Sequence, residues 1–218
     1  MNQFLYSSLG LILAYLIGSI PSAVWIGKAL YGVDVRDHGS GNAGATNVIR
    51  VLGYKAGIPV MLVDVFKGWL AVQVFYLYPG EVLAHDLVIY IKIALAIAAV
   101  MGHVFPVFAG FRGGKGVGTL AGIAIALYPL ALLIVLGVFI LCLATTRYVS
   151  LSSILGAILF PFIVIFITGE HNPGLIILAL LVAVFIPVTH RKNIRRLLKG
   201  EENKFVFRPK KTSGTKLN

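Results

Sequence analysis

Charge is scarce in this sequence, and acidic charge scarcest. Asp, Glu, Lys and Arg make up 12% of the 218 residues, against 58% hydrophobic ones; an ordinary soluble domain carries about 25% charged residues. That deficit leaves too little polar surface to coat a water-soluble globule. Cysteine is nearly absent: Cys142 stands alone inside an apolar run, which excludes a disulfide framework and a cysteine-built metal site. No pair of His, Cys, Asp or Glu has the spacing of a metal ligand set, and no metal or other cofactor is expected. No internal repeat is visible.

What remains is long apolar runs. A stretch of roughly 20 apolar residues spans a bilayer as a helix, and seven segments can be drawn, at 3–27, 55–78, 86–104, 116–128, 129–146, 151–168 and 173–190. All Lys and Arg except Lys67 and Lys92 lie in or beside the connections around 28–54, 105–115, 147–150 and the tail after His190. The connections around 79–85 and 169–172 hold Glu81 and Glu170 and no basic residue. Basic residues mark the cytoplasmic side. The stretch 116–146 would be about 46 Å long as one helix, against a hydrocarbon core of about 30 Å, and Pro129 interrupts it. Two crossings there keep Arg147 and the basic tail in the cytoplasm, whereas a six-span chain would put them outside. The expected architecture is therefore all-α and polytopic, with seven transmembrane helices, Gly-rich cytosolic loops, the N-terminus outside and the C-terminus in the cytoplasm. Residues 1–202 read as one transmembrane domain and 203–218 as a basic cytoplasmic tail. Residues 1–27 lack the positive n-region of a signal peptide and read as a retained first helix.

The loop GSGNAGATN, residues 39–47, contains Gly39-x-Gly41-x-x-Gly44, a letter-for-letter match to the dinucleotide fingerprint. That fingerprint needs a strand before it and a βαβ unit around it. Here a long apolar run ending near Lys28 precedes it, too long for a strand. Its glycines let backbone N–H groups converge on an anion. Ser40, Asn42, Thr46 and Asn47 add donors, and Arg50 adds a bidentate cation. A solvated turn would have much the same composition. The second loop, GHVFPVFAGFRGGKGVGT at 102–119, sets Gly110, Gly113, Gly114, Gly116 and Gly118 around Arg112 and Lys115. It is no Walker A loop, because Gly116 follows Lys115 where a Ser or Thr is required. It does place cations and backbone donors at the mouth of a helix expected near Gly116. Two such cradles on one membrane face favour a phosphate-handling site over two idle turns.

Two further clusters lie on the same side. In RYVSLSS, residues 147–153, Ser150 and Ser152 sit at a helix start, where N-capping is the expected role. In THRKNIRRLLKGEE, residues 189–202, His190 and Asn193 are spaced i, i+3 and would share a helix face. The adjacent Arg191, Lys192, Arg195 and Arg196 suit anionic headgroups. Within the spans, Asp64 and Lys67 are spaced to neutralise one another. His103, where a span meets the second loop, reads as a hydrogen-bonded loop support.

Together GSGNAGATNVIR, GHVFPVFAGFRGGKGVGT, RYVS and HRKNIRRLL resemble the bacterial acyl-phosphate-dependent glycerol-3-phosphate acyltransferases, the PlsY family. The resemblance runs in order from about Ile17 to Glu201. Arg112 stands where the family often has lysine, and Gly118 where it often has alanine. The resemblance implies acyl transfer from acyl phosphate to the sn-1 hydroxyl of glycerol 3-phosphate. The implied products are lysophosphatidic acid and inorganic phosphate, and the implied step is the first acylation of phospholipid synthesis. It implies that Ser40, Arg50, Lys115 and Ser150 bind the phosphate of glycerol 3-phosphate, and that His190 and Asn193 hold its glycerol. Asn42, Thr46 and Asn47 would take the phosphate of the acyl donor, with Gly39, Gly41, Gly44, His103, Arg112, Gly113 and Gly114 in support. Membrane lipid is the only further partner expected; neither nucleic acid nor an obligate protein partner is implied. No Ser-His-Asp set is evident, and none of the five histidines has an Asp at +5, so the H-x-x-x-x-D motif of acyl-CoA-using acyltransferases is missing. An acyl phosphate carries its own leaving group, and a substrate phosphate can take the hydroxyl proton without a protein base. A carrier for a phosphorylated metabolite would share the cationic loops, but carriers place their site near the bilayer midplane between repeats.

Overall fold

A computed structural model describes residues 3–78 and 87–206. The connection around 79–85 and the tail from 207 onward lie outside the described residues. Among those described there are ten α-helices and no strand, so the fingerprint-like loop belongs to no βαβ unit.

The first apolar segment breaks into α1 (Gln3–Gly18) and α2 (Ser22–Tyr31), bent by 41°. Pro21 lacks an N–H and ends the regular ladder, which frees polar groups within the apolar layer. The fold satisfies them from α4 (Tyr54–Gln73): Lys67 Nζ donates to the Ile20 carbonyl at 2.8 Å, and Ser22 Oγ donates to Asp64 Oδ1 at 2.8 Å. Asp64 and Lys67 pair at 2.8 Å, both buried, as their spacing predicts. A broken helix at membrane depth persists only where such partners exist.

Between α2 and α4 the sequence suggests a loop throughout, yet residues Ala45–Leu52 form α3. α5 (Leu87–Val104) packs on α1, and α6 (Val117–Leu127) packs most closely on α4. α7 (Pro129–Thr146) and α8 (Val149–Phe162) follow, the latter continuing as a π-helical turn over Ile163–Ile167. α9 (Pro173–Thr189) starts on an Asn172 side chain that accepts from Gly174 N at 2.9 Å, with Pro173 in the first turn. It bends by 61° into α10 (Arg191–Leu198).

All seven expected segments are helical. Four reach crossing length as single helical stretches (Tyr54–Leu77, Leu87–Ala109, Pro129–Thr146 and Val149–Ile167), and the α1/α2 and α9/α10 pairs do so as bent spans. α6 has 11 residues, about 16 Å at 1.5 Å per residue, half of a hydrocarbon core. It is held by close approach: a Cβ on Gly122 would strike the Val65 carbonyl oxygen of α4, and one on Gly68 would strike the Thr119 carbonyl. Small residues let membrane helices touch along their backbones. Gly122→Ala is therefore expected to destabilise the protein by about 1–3 kcal/mol, read by thermal unfolding in detergent. Gly137→Ala in α7, where an added Cβ meets nothing, should leave it unchanged or slightly more stable.

Candidate active site

The first Gly-rich loop is folded by its own side chains. Asp34 accepts from Arg36 N at 3.0 Å and from Arg36 Nε at 2.9 Å, and pairs with Lys28 at 3.2 Å. The Arg36 guanidinium hydrogen-bonded to it outweighs burial and holds its carboxyl far below the usual carboxylate range. Arg36 also reaches across, with Nη1 donating to the carbonyls of Ala109 at 2.7 Å and Arg112 at 3.3 Å. It thereby ties the first loop to the second.

Asn47, in the first turn of α3, closes the first loop from within. Its Oδ1 accepts from Ser40 N at 2.8 Å and Ser40 Oγ at 3.1 Å, while Nδ2 donates to the carbonyls of Val35 at 2.8 Å and His38 at 3.1 Å. The side-chain amide is thus spent on the scaffold, and Asn47 is buried. Gly39 and Gly41 turn the chain at φ of 62° and 70°, where glycine carries little strain.

The second loop hangs from the end of α5. Gly113 N donates to the Val104 carbonyl at 3.1 Å and Gly114 N to the His103 carbonyl at 3.2 Å. A Cβ at Gly114 would run into the His103 imidazole. His103 meets the loop through its backbone carbonyl and through the ring edge that lies against Gly114. Its Nδ1 makes no hydrogen bond and lies 3.7 Å from Asp64 Oδ1. Lys115 leaves this loop and donates from Nζ to Asn193 Oδ1.

The remaining two clusters meet on a residue that sequence reasoning passed over. Glu202 Oε1 accepts from Ser150 Oγ at 3.0 Å and Asn193 Nδ2 at 2.8 Å, and its Oε2 pairs with Arg196 Nε at 2.6 Å. Burial opposes its ionisation, but the hydrogen bonds from Arg196, Asn193 and Ser150 prevail and hold the carboxyl below the usual glutamate range. Ser150 is therefore no N-cap. Ser152 is none either: its hydroxyl donates back to the Tyr148 carbonyl at 2.9 Å. His190 and Asn193 share no continuous helix, because His190 is the hinge between α9 and α10; the bend still directs both to one place.

That place is a cavity of about 550 Å³. Ser40, Asn42, Gly44, Thr46, Asn47, Arg50, His103, Lys115, Ser150, His190 and Asn193 all line it, so eleven of the sixteen positions selected in the sequence converge. Gly39, Gly41, Arg112, Gly113 and Gly114 stay in the loops behind it, and the Arg112 side chain is exposed. Arg196, Glu202, Asn203 and Phe205 complete the polar end. The chain also docks on the body through Phe205 N, which donates to the Arg147 carbonyl at 2.6 Å, so the cavity wall runs past residue 202. From the polar end the cavity continues between α6, α7 and α8 along Leu132, Val135, Leu136, Phe139, Ala157 and Phe160. Burial lowers the Lys115 ammonium to about 8, with nearby Arg196 and Arg50 reinforcing and Glu202 opposing. Burial likewise lowers Arg50. Crowded cations with unspent charge above an apolar groove suit an amphiphile with an anionic head.

Fold and site thus define a class: a polytopic helical membrane protein with paired, cation-bearing Gly-rich loops over an apolar groove. The family model described as glycerol-3-phosphate acyltransferase matches residues 8–200, and the chain belongs to that family. It is 46% identical to a glycerol-3-phosphate acyltransferase of Fusobacterium nucleatum, covering 90% of this chain and 97% of that one. A glycerol-3-phosphate acyltransferase of Chlorobaculum tepidum is 43% identical, with 90% and 95% covered. Among solved structures, PlsY (YgiH), an integral membrane glycerol 3-phosphate acyltransferase, is 36% identical in its glycerol 3-phosphate form, with a TM-score of 0.80 over 92% of this chain and 96% of that one. Its lysophosphatidic acid form gives a TM-score of 0.77.

Proposed function

We propose that this protein transfers a fatty acyl group from acyl phosphate to the sn-1 hydroxyl of glycerol 3-phosphate, yielding lysophosphatidic acid and inorganic phosphate. The observation that carries the reading is the convergence of Ser40, Arg50, Lys115, Ser150, His190 and Asn193, from four separated segments, on one cavity whose far end is apolar. Ser40, Arg50, Lys115 and Ser150 take the phosphate of glycerol 3-phosphate, and His190 and Asn193 its glycerol. Asn42 and Thr46 face the donor phosphate, and Asn47 serves that subsite by holding the loop. The family relationship supports the acceptor; the lack of an acyl-CoA acyltransferase motif favours acyl phosphate as donor.

Each phosphate monoester brings roughly −1.5 to −2 charges at neutral pH. Fixed cations offset the repulsion between two such substrates and hold hydroxyl and carbonyl in reacting geometry. The hydroxyl oxygen attacks the acyl carbonyl carbon, and the bond from that carbon to the phosphate oxygen breaks. The electron pair leaves with phosphate, and the hydroxyl proton passes to a substrate phosphate. The membrane arrangement that fits this chemistry is seven spans, with α6 and α7 crossing separately. The N-terminus is then outside, and the site, domain 1–202 and tail face the cytoplasm of a bacterial cell membrane. The basic residues beside the site loops support that orientation.

The test uses purified protein in detergent with glycerol 3-phosphate and palmitoyl phosphate, with palmitoyl-CoA in parallel, following phosphate and lysophosphatidic acid. Product from acyl phosphate alone is expected. Product from palmitoyl-CoA alone would replace the donor. No product from either, with glycerol 3-phosphate still bound, would favour a carrier. The affinity should also be bell-shaped in pH. Lys115 loses its proton as pH rises through about 8, so the KM for glycerol 3-phosphate climbs above that point. Below about 6 the substrate phosphate takes up its second proton, and KM climbs again.

A further inference from the structure

The break at Tyr128-Pro129, unused by the phosphate chemistry, has a place in this site. The apolar arm of the cavity ends against a buried cluster whose cavity-lining members are Ala124, Tyr128, Phe160 and Leu178; the rest of that cluster closes behind them. Tyr128 and Phe160 meet edge to face with centroids 5.1 Å apart, a favoured aromatic geometry. Tyr128 is fixed at its far side by a 2.7 Å hydrogen bond from its hydroxyl to the Leu175 carbonyl. Both rings are buried. This is a rigid floor, built where the α6/α7 break turns a tyrosine inward.

We propose that the Tyr128–Phe160 pair is the acyl-chain ruler of this enzyme: it sets the longest straight chain that gains from the groove. The proposal rests on the acyl-transfer reading above. From Gly116 to Tyr128 along α6, and from Ser150 to Phe160 along α8, the path is about 15–18 Å at 1.5 Å per residue. At about 1.25 Å per carbon, the projection of a C–C bond, that holds roughly 12 to 14 carbons. Up to that length each added methylene gains packing contacts along the groove wall and raises kcat/KM; past it the gain stops. Ala157 lies one turn nearer the polar end than Phe160 and also lines the cavity, so a larger side chain there raises the floor.

The experiment measures kcat/KM for a series of saturated acyl phosphates from ten to eighteen carbons. The wild-type profile should climb and then flatten. Ala157→Leu should move the break shorter by roughly three to four carbons, one helical turn, and Tyr128→Ala should move it longer. Tyr128→Phe keeps the ring and should leave the break in place. Because Tyr128→Ala removes a core side chain and can unfold the protein, the Ala157→Leu shift decides alone if that variant is lost. A break that stays put in Ala157→Leu, with turnover intact, overturns the ruler and leaves the proposed function standing. A wild-type protein that turns over no acyl phosphate of any length overturns both.

Discussion

Lys115→Ala is expected to lower kcat/KM for glycerol 3-phosphate by about 10³-fold, the upper range for removing one preorganised charge from a transition state. The half-buried ammonium lines the cavity wall, and its Asn193 contact leaves donor capacity for a phosphate oxygen. The loop that carries it is fixed by the Gly113 and Gly114 amides and by Arg36 through the Ala109 carbonyl, none of which needs the lysine side chain. The variant should therefore fold, with an unfolding temperature close to that of the parent. Lys115→Arg should recover little: a planar fork on a longer arm does not reproduce a compact ammonium placed against Asn193. Phosphate release with palmitoyl phosphate, beside a thermal melt, separates the two effects. A folded Lys115→Ala protein within tenfold of wild type would remove Lys115 from the phosphate site.

The sequence made some of this legible and concealed the rest for identifiable reasons. Glycine clusters, cations and apolar runs are local signals. They located both Gly-rich loops, the start of α6 at Gly116, the split at Pro129 and the Asp64–Lys67 pair. α3 was hidden because eight residues between Gly44 and Gly53 are too few for a clear helical period, and the glycines on either side read as loop. Arg36 was passed over, because the carbonyls it ties together lie 73 and 76 residues away. Glu202 was concealed by its neighbours: the second of two adjacent acids after five basic residues reads as a solvated tail, and the bend at His190 and the turn at Gly200 carry it back into the cavity. The serines misled in the same way. A hydroxyl at a helix start predicts a cap, but Ser150 has a carboxylate within reach from a segment 52 residues away.

Glu202 therefore carries the second large effect. Its side chain is 5% exposed and accepts from three groups, two of which, Ser150 and Asn193, belong to the proposed glycerol 3-phosphate site. Removing it strands the Arg196 guanidinium and leaves two aligned donors without their acceptor, a loss of about 3 kcal/mol for a largely buried pair. Glu202→Ala should therefore lower the unfolding temperature and raise the KM for glycerol 3-phosphate at least tenfold, because Ser150 and Asn193 are released from their set positions. Glu202→Gln retains an acceptor oxygen for Ser150 and Asn193 and loses only the charge opposite Arg196, so its KM should lie closer to wild type than its melt. The pH dependence follows from the depressed carboxyl: the stabilisation is fully present above the ordinary glutamate range and is lost as pH falls through the lower folded value. Arg196→Met should weaken the fold as well, and in the double variant the two losses should be less than additive, since each removes the same pair. A Glu202→Ala protein that melts like wild type with an unchanged KM would make Glu202 a bystander, with Ser150 positioned by its own helix and Asn193 by its helix and Lys115.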